Sequence, residues 1–326
     1  GPSELIAGGR TVQGLPLFDG GTTDGGGLVG TLGPLGSAAR FGVVEMEPRA
    51  ASLPGNAFAL ARRESAHAAI LVALRTRPDS LAPLNAHDAL DPFGPPVLQL
   101  PGREAPWLGL LAERGAPAKL VVQGHRTSGR SANIRAALPG PEDGDAPPLV
   151  LLTPRTSWWT STAERAGGIL AWLAALTALA GAERRRGVVA LATCGHELGH
   201  IGAQRAFARE PELASDSALV VHLGANLGCA GAERLVVRSN VVGLADRMAD
   251  ALAEAGHPRA PIEAATGGKA NGEAHEIEER GGRYLSLIGD NPWFHAPEDR
   301  WPDSVDLPRA EAIARAVARV AVEQAA

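Results

Sequence analysis

Residues Cys194-Gly195-His196-Glu197-Leu198-Gly199-His200 contain a His-Glu-x-x-His pattern. On a continuous helix this spacing sets two imidazoles one turn apart to bind zinc, with the glutamate between them activating a water. The neighbouring residues argue against such a helix. The pattern follows directly on the apolar run Gly187-Val188-Val189-Ala190-Leu191-Ala192-Thr193, which reads as a strand buried in a parallel sheet. Gly199 lies inside the pattern and Gly202 just beyond it, and each glycine costs about 1 kcal/mol relative to alanine in a helix interior. His196 and Glu197 are therefore expected in a strand-to-helix turn at the carboxyl end of a sheet strand, where open α/β sheets place their ligands. His200 is expected on the helix just past that turn.

The elements that must position this turn alternate along the chain. Residues 1–25 are glycine-rich with few periodic signals, so they form an N-terminal segment. Over 26–129, strands are expected at 27–36, 41–48, 95–101 and 118–126. Helices are expected at 105–116 and across 56–74, the latter running into a strand. From about residue 130 the rhythm becomes strand, loop at 139–148, strand, and a long helix at 163–179 that is apolar nearly all round and so should be buried. Strands at 187–193, 217–226, 233–239 and 283–289 then alternate with helices, and an amphipathic helix closes the chain. This alternation indicates an α/β fold, a doubly wound and mostly parallel sheet, preceded by a smaller N-terminal module.

Composition narrows the class. The chain has 326 residues, 45% hydrophobic and 21% charged, as in a folded globular protein of one or two domains. A formal net charge of -5 offers no attraction to nucleic acid or to an anionic membrane surface, so neither is expected as a partner. Two cysteines, Cys194 and Cys229, are too few for a disulfide framework and suit a reducing, cytoplasmic compartment. The leading Gly-Pro-Ser looks like a cleavage scar, which leaves room for a trimmed secretion signal. The longest apolar stretch, 167–182, reads as a buried helix too short to span a bilayer. The dominance of Ala and Gly suggests a high-GC bacterial source.

Several stretches together resemble the co-catalytic zinc peptidases, a family that includes bacterial leucyl aminopeptidase, carboxypeptidase Q and the glutaminyl cyclases. His196 to Ala203 resembles the family's Glu-Glu-x-Gly-Leu-x-Gly-Ser stretch, with His in place of the first Glu and Ala in place of Ser. The strand ending Thr153-Pro154-Arg155-Thr156 resembles the family's His-x-Asp strand, and Ala163 to Ile169 its Asp-Asn helix start. The strand ending His222-Leu223-Gly224-Ala225-Asn226 resembles its later Asn-x-Asp strand. Phe294 to Asp306 resembles its terminal Tyr-His-Thr-x-x-Asp segment. The resemblance covers 130–326 well, as a zinc-peptidase-like catalytic domain. It covers 26–129 loosely, as a protease-associated-like module.

The resemblance implies a site with altered ligands. The family's first His falls on Pro154, which cannot bind metal, and the following Asp on Thr156. The bridging Asp becomes Glu164 with Arg165 beside it, the second Glu is kept as Glu197, the later Asp becomes His222, and the final His is kept as His295. One zinc held by Glu164, Glu197 and His295, with His222 as a further ligand, is the expectation, and His196 takes the position of the general base. Arg155, Trp158 and His275 fall where the resemblance places substrate contacts, His275 in a mostly exposed loop at 272–280. The implied activity is hydrolysis of an amide or peptide bond, with a peptide or small amide as partner. Two alternatives stay open. One is a non-catalytic pseudo-peptidase that binds a peptide or small molecule. The other is a metal-free enzyme on the same scaffold, using His196, His222 and Glu197. Glu164, Arg165 and Arg155 could equally form a salt-bridge network without metal.

Overall fold

The computed structural model describes residues 2–52, 55–76, 79–141, 146–259 and 261–326, so the loop expected at 139–148 lies partly outside the described residues. The chain divides into two compact units. The first comprises Gly1–Gly129 with Glu197–Gly199 and Trp293–Glu298, and the second comprises Arg130–His196, His200–Pro292 and Asp299–Ala326.

The first unit carries strands β1 (Glu4–Ala7), β2 (Arg10–Gln13), β3 (Leu15–Pro16), β4 (Leu28–Pro34), β5 (Phe41–Met46), β6 (Ala69–Leu74), β7 (Val97–Pro101) and β8 (Pro117–Val121), with helices α1 (Ala57–Arg63) and α2 (Ala105–Glu113). They form one mixed sheet in the order β2-β1-β8-β4-β5-β6-β7-β3. Where few periodic signals were read, at 1–25, the structure has β1 to β3. These strands are too short to show a period, and their pairing with β8 and β7 is what makes them strands. β6 is buried along its whole length, as its unbroken Ala-Ile-Leu-Val-Ala-Leu run requires.

The second unit carries β9 (Ile134–Leu138), β10 (Leu149–Pro154), α3 (Thr162–Ala180), β11 (Val188–Thr193), α4 (Ile201–Arg209), α5 (Glu212–Ser215), β12 (Leu219–Leu223), β13 (Leu235–Ser239), α6 (Leu244–Glu254), β14 (Ile262–Thr266), α7 (Ala274–Glu278), β15 (Tyr284–Gly289) and α8 (Leu307–Ala325). Its sheet has the order β14-β13-β15-β12-β10-β11-β9 and is mostly parallel. β10, β11 and β12 are buried throughout and run parallel, so their carboxyl ends lie side by side. One core cluster gathers Leu149, Leu151, Trp172, Leu179, Val221, Leu285 and Val317 on the face covered by α3, α6 and α8. A second gathers Val150, Leu152, Phe207, Val220, Ile277 and Tyr284 on the opposite face. Helices on both faces of a mostly parallel sheet make the doubly wound α/β architecture that the alternation indicated.

Three local expectations are corrected. α3, expected to be too short to span a bilayer, is long and apolar enough to do so by length and composition, while Ala171, Trp172, Ala175 and Leu179 are built into the core of the unit as expected. His200 is not on a helix: Gly199 and His200 both have positive φ, +79° and +57°, and α4 starts only at Ile201. The segment 273–279, read as an exposed loop, holds the short helix α7 with Glu276 and Ile277 buried.

Glycines fix how closely α3 approaches the sheet. A Cβ on Gly167 would stand 1.5 Å from the Leu227 carbonyl oxygen, and one on Gly168 would stand 2.9 Å from the Gly224 carbonyl. Gly167→Ala should therefore destabilise the protein by roughly 2 kcal/mol or more through a forced shift of α3. Gly109→Ala, in α2 with open space around it, should stabilise by about 0.4–1 kcal/mol. Urea denaturation of both variants checks this pair of opposite signs.

Candidate functional site

The carboxyl ends of β11 and β12 and the start of α7 bring a polar cluster together inside the second unit. Glu273, the residue before α7, is fully buried. The Thr193 hydroxyl, at the last residue of β11, lies 2.8 and 2.7 Å from its two carboxylate oxygens and donates to them. His196 Nδ1 stands 3.4 Å from Glu273 Oε1. Facing an ionised Glu273, which can only accept, the imidazole would donate from Nδ1. The His196 and His200 rings lie 4.7 Å apart, tilted by 34°. His200 Nδ1 in turn approaches Glu276 Oε1 at 3.4 Å, and Arg280 Nη1 donates to Glu276 Oε2 at 2.9 Å.

The environment drives the two carboxyl groups in opposite directions. Burial pushes Glu273 above the usual carboxylate range, partly offset by His200, His222 and the Thr193 hydroxyl. Burial also opposes the charge on Glu276, but hydrogen bonds from His200, Arg280 and Gln204 outweigh it and hold the group at about 2. Such separation of neighbouring carboxyls is how acid and base roles are divided in a site. His222, fully buried on β12, faces Ser286 across the β12–β15 register, its Nδ1 2.8 Å from the hydroxyl oxygen. Desolvation lowers it to about 4, so it is a neutral imidazole.

A second buried group lies at the amino end of α3. Glu164 Oε1 and Arg165 Nη2 are 2.9 Å apart and both side chains are buried. Arg165 Nε donates to the Thr156 carbonyl. The Thr156 hydroxyl accepts from the backbone amides of Gly195, at 3.0 Å, and His196, at 3.4 Å. Ser161 precedes α3 without a side-chain cap. Asp299, distant in sequence and fully buried, takes that role, accepting from the amides of Ala163 at 2.7 Å and Glu164 at 2.9 Å.

Of the residues expected from sequence, His196, His222 and Glu164 belong to the second unit, and Glu197 and His295 to the first. Glu197 is buried in a short 3-10 turn, its carbonyl accepting from the Ala86 amide at 2.8 Å. His295 is buried with φ +61°, its ring stacked on Phe294. Its Nδ1 donates to the Pro83 carbonyl at 2.8 Å. Arg155 is turned to the Ala132 carbonyl, 3.0 Å from its Nε. His275, on α7, pairs with Glu279 at 3.0 Å, and Trp158 is half-buried. Sequence reasoning passed over Glu273, Thr193, Glu276, Ser286 and Asp299. Glu273 is one of several acids in the stretch 273–279 and carried no signal of its own. Asp299 lies inside the segment 294–306, and only its burial against the start of α3 reveals its role.

A resident zinc fits these donors poorly. Among the described residues, no three His, Cys, Asp or Glu side chains are placed to hold one ion. Glu164, the carboxylate that would bridge or anchor it, is already neutralised by a guanidinium.

No protein-family model matches the chain, and no curated protein matches it. Solved structures do match in fold. A zinc aminopeptidase from Bacillus subtilis superposes with a TM-score of 0.71 at 17% identity, over 98% of this chain and 81% of its own. An aminopeptidase from Aneurinibacillus sp. strain AM-1 gives 0.71 at 14% identity, over 99% and 81%. A peptidase M28 precursor from Shewanella amazonensis gives 0.70 at 14% identity, over 100% and 80%. At these identities the likeness is one of fold: the chain has the aminopeptidase-like α/β fold that the motif order implied.

His222 gives the site a measurable pH signature. In the unfolded chain its imidazole takes up a proton near pH 6.5, whereas the native one resists until about 4. Stability contributed by the neutral form is therefore present above pH 6.5 and lost as pH falls towards 4, by about 3 kcal/mol in all. Denaturant titrations between pH 7 and 4 should show that unfolding takes up about one proton more in the wild type than in His222→Gln.

Proposed function

We propose that this chain is a divergent hydrolase of amide or peptide bonds in which His196 is the general base and Glu273 its orienting carboxylate. The observation that supports this reading is the Thr193–Glu273–His196 alignment at the carboxyl end of β11. A buried carboxylate on Nδ1 fixes the ring tautomer and stabilises the imidazolium formed when Nε2 takes a proton from an attacking water. The 3.4 Å contact is long, as such contacts are in unliganded sites, and closes when substrate organises the turn. His200 lies beside His196, the two rings tilted, and through Glu276 places a second imidazole–carboxylate pair next to the first. The zinc aminopeptidases that share the fold suggest peptides and small amides as substrates. The first unit keeps its reading as a protease-associated-like module.

A second reading rests on the histidines. His222 is neutral and its Nε2 has no hydrogen-bond partner. His295 is oriented by a carbonyl on Nδ1, as metal-bound histidines commonly are. In this reading the hydrolase is zinc-dependent, and its candidate ligands are those the resemblance names: Glu164 and His222 in the second unit, Glu197 and His295 in the first.

The test is hydrolysis of a panel of aminoacyl and N-acyl amides with and without chelator. The proposal expects turnover that survives chelation. It also expects kcat/KM to fall by roughly 10²–10⁴ in His196→Ala, with a smaller loss in Glu273→Gln. Chelator-sensitive activity restored by zinc would select the second reading. No turnover of any substrate would leave a pseudo-peptidase that binds its ligand without cleaving it.

A further inference from the structure

We infer that Arg165 is a built-in cation that takes the place of a metal ion at the amino end of α3. The inference stands whether or not His196 catalyses hydrolysis. Two connections support it, both within the second unit. The guanidinium is ion-paired to the buried Glu164. Its Nε is bound to the Thr156 carbonyl.

These are the tasks of a bound cation: neutralising a buried carboxylate and tying the end of β10 to the start of α3. The geometry also explains Thr156. With its carbonyl on Arg165 and its hydroxyl on the amides of Gly195 and His196, it links the guanidinium to the turn that presents His196. Arg165 is thus a positioning residue for that turn. An arginine suits the task better than a lysine, because its planar fork serves a carboxylate and a carbonyl at once and its charge is permanent. While the guanidinium is in place, a zinc ion would have to displace it from Glu164.

The experiment compares thermal stability with and without zinc in the full chain. Zinc should leave the wild type unchanged. It should raise the Tm of Arg165→Met, where Glu164 has lost its counter-charge and can turn to a metal. Arg165→Lys, which keeps the charge, should stay indifferent to zinc. The double variant Glu164→Gln/Arg165→Met has no buried charge to neutralise, so it should be indifferent too and more stable than Arg165→Met alone. That second comparison decides the matter even if the single variant is too unstable to titrate. Zinc stabilisation of the wild type, no zinc response in a folded Arg165→Met, or a double variant as damaged as the single one would each overturn the inference.

Discussion

A carboxylate taken out of water must be neutralised, hydrogen-bonded or protonated, because isolated charge in a protein interior is too costly to leave alone. The second unit buries several at the ends of its strands and meets each demand differently. Glu164 takes a guanidinium. Asp299 takes the amides at the start of α3 and the Asn291 side chain. Glu273 takes a hydroxyl and an imidazole. Glu276 takes Arg280, Gln204 and His200. Together these partners fix the amino end of α3, the turn after β11 and the start of α7.

The sheet creates this demand. β10, β11 and β12 are buried on both faces and end together, so polar residues just beyond them gather whether or not they are close in sequence. Thr193, His222 and Glu273 are brought together by this ending, and the glycines at 167 and 168 let α3 press against the segment after β12. The positive φ values at Gly199 and His200 then turn the His-Glu-x-x-His letters away from the helical site they would otherwise spell. His196 and His200 still meet, ring against ring, but through a reversal of the chain rather than a helical turn.

Much of the scaffold was legible in the sequence because its signals are local. Unbroken apolar runs gave β6, β10, β11 and β12, and the apolar stretch at 163–179 gave α3. The position of His196 just past a strand followed from the glycines around it. What stayed hidden depends on contacts between distant residues. β1 to β3 are strands through their partners, and α7 is a helix of five residues that packs Ile277 into the core. Glu273 and Asp299 gain their roles from burial against groups 80 and 136 residues away. Glu164, His222 and His295 were picked out by resemblance, and their surroundings, most of all the guanidinium on Glu164, could not be read from the motif that named them.

The inferred role of Arg165 as the cation at the amino end of α3 is open to a direct test. Zinc-edge anomalous diffraction from zinc-soaked crystals tests this most directly. No anomalous peak is expected at Glu164, and the Arg165–Glu164 pair should be intact. A peak about 2.0–2.2 Å from a Glu164 oxygen, with His222 Nε2 at a similar distance and Arg165 displaced, would contradict it.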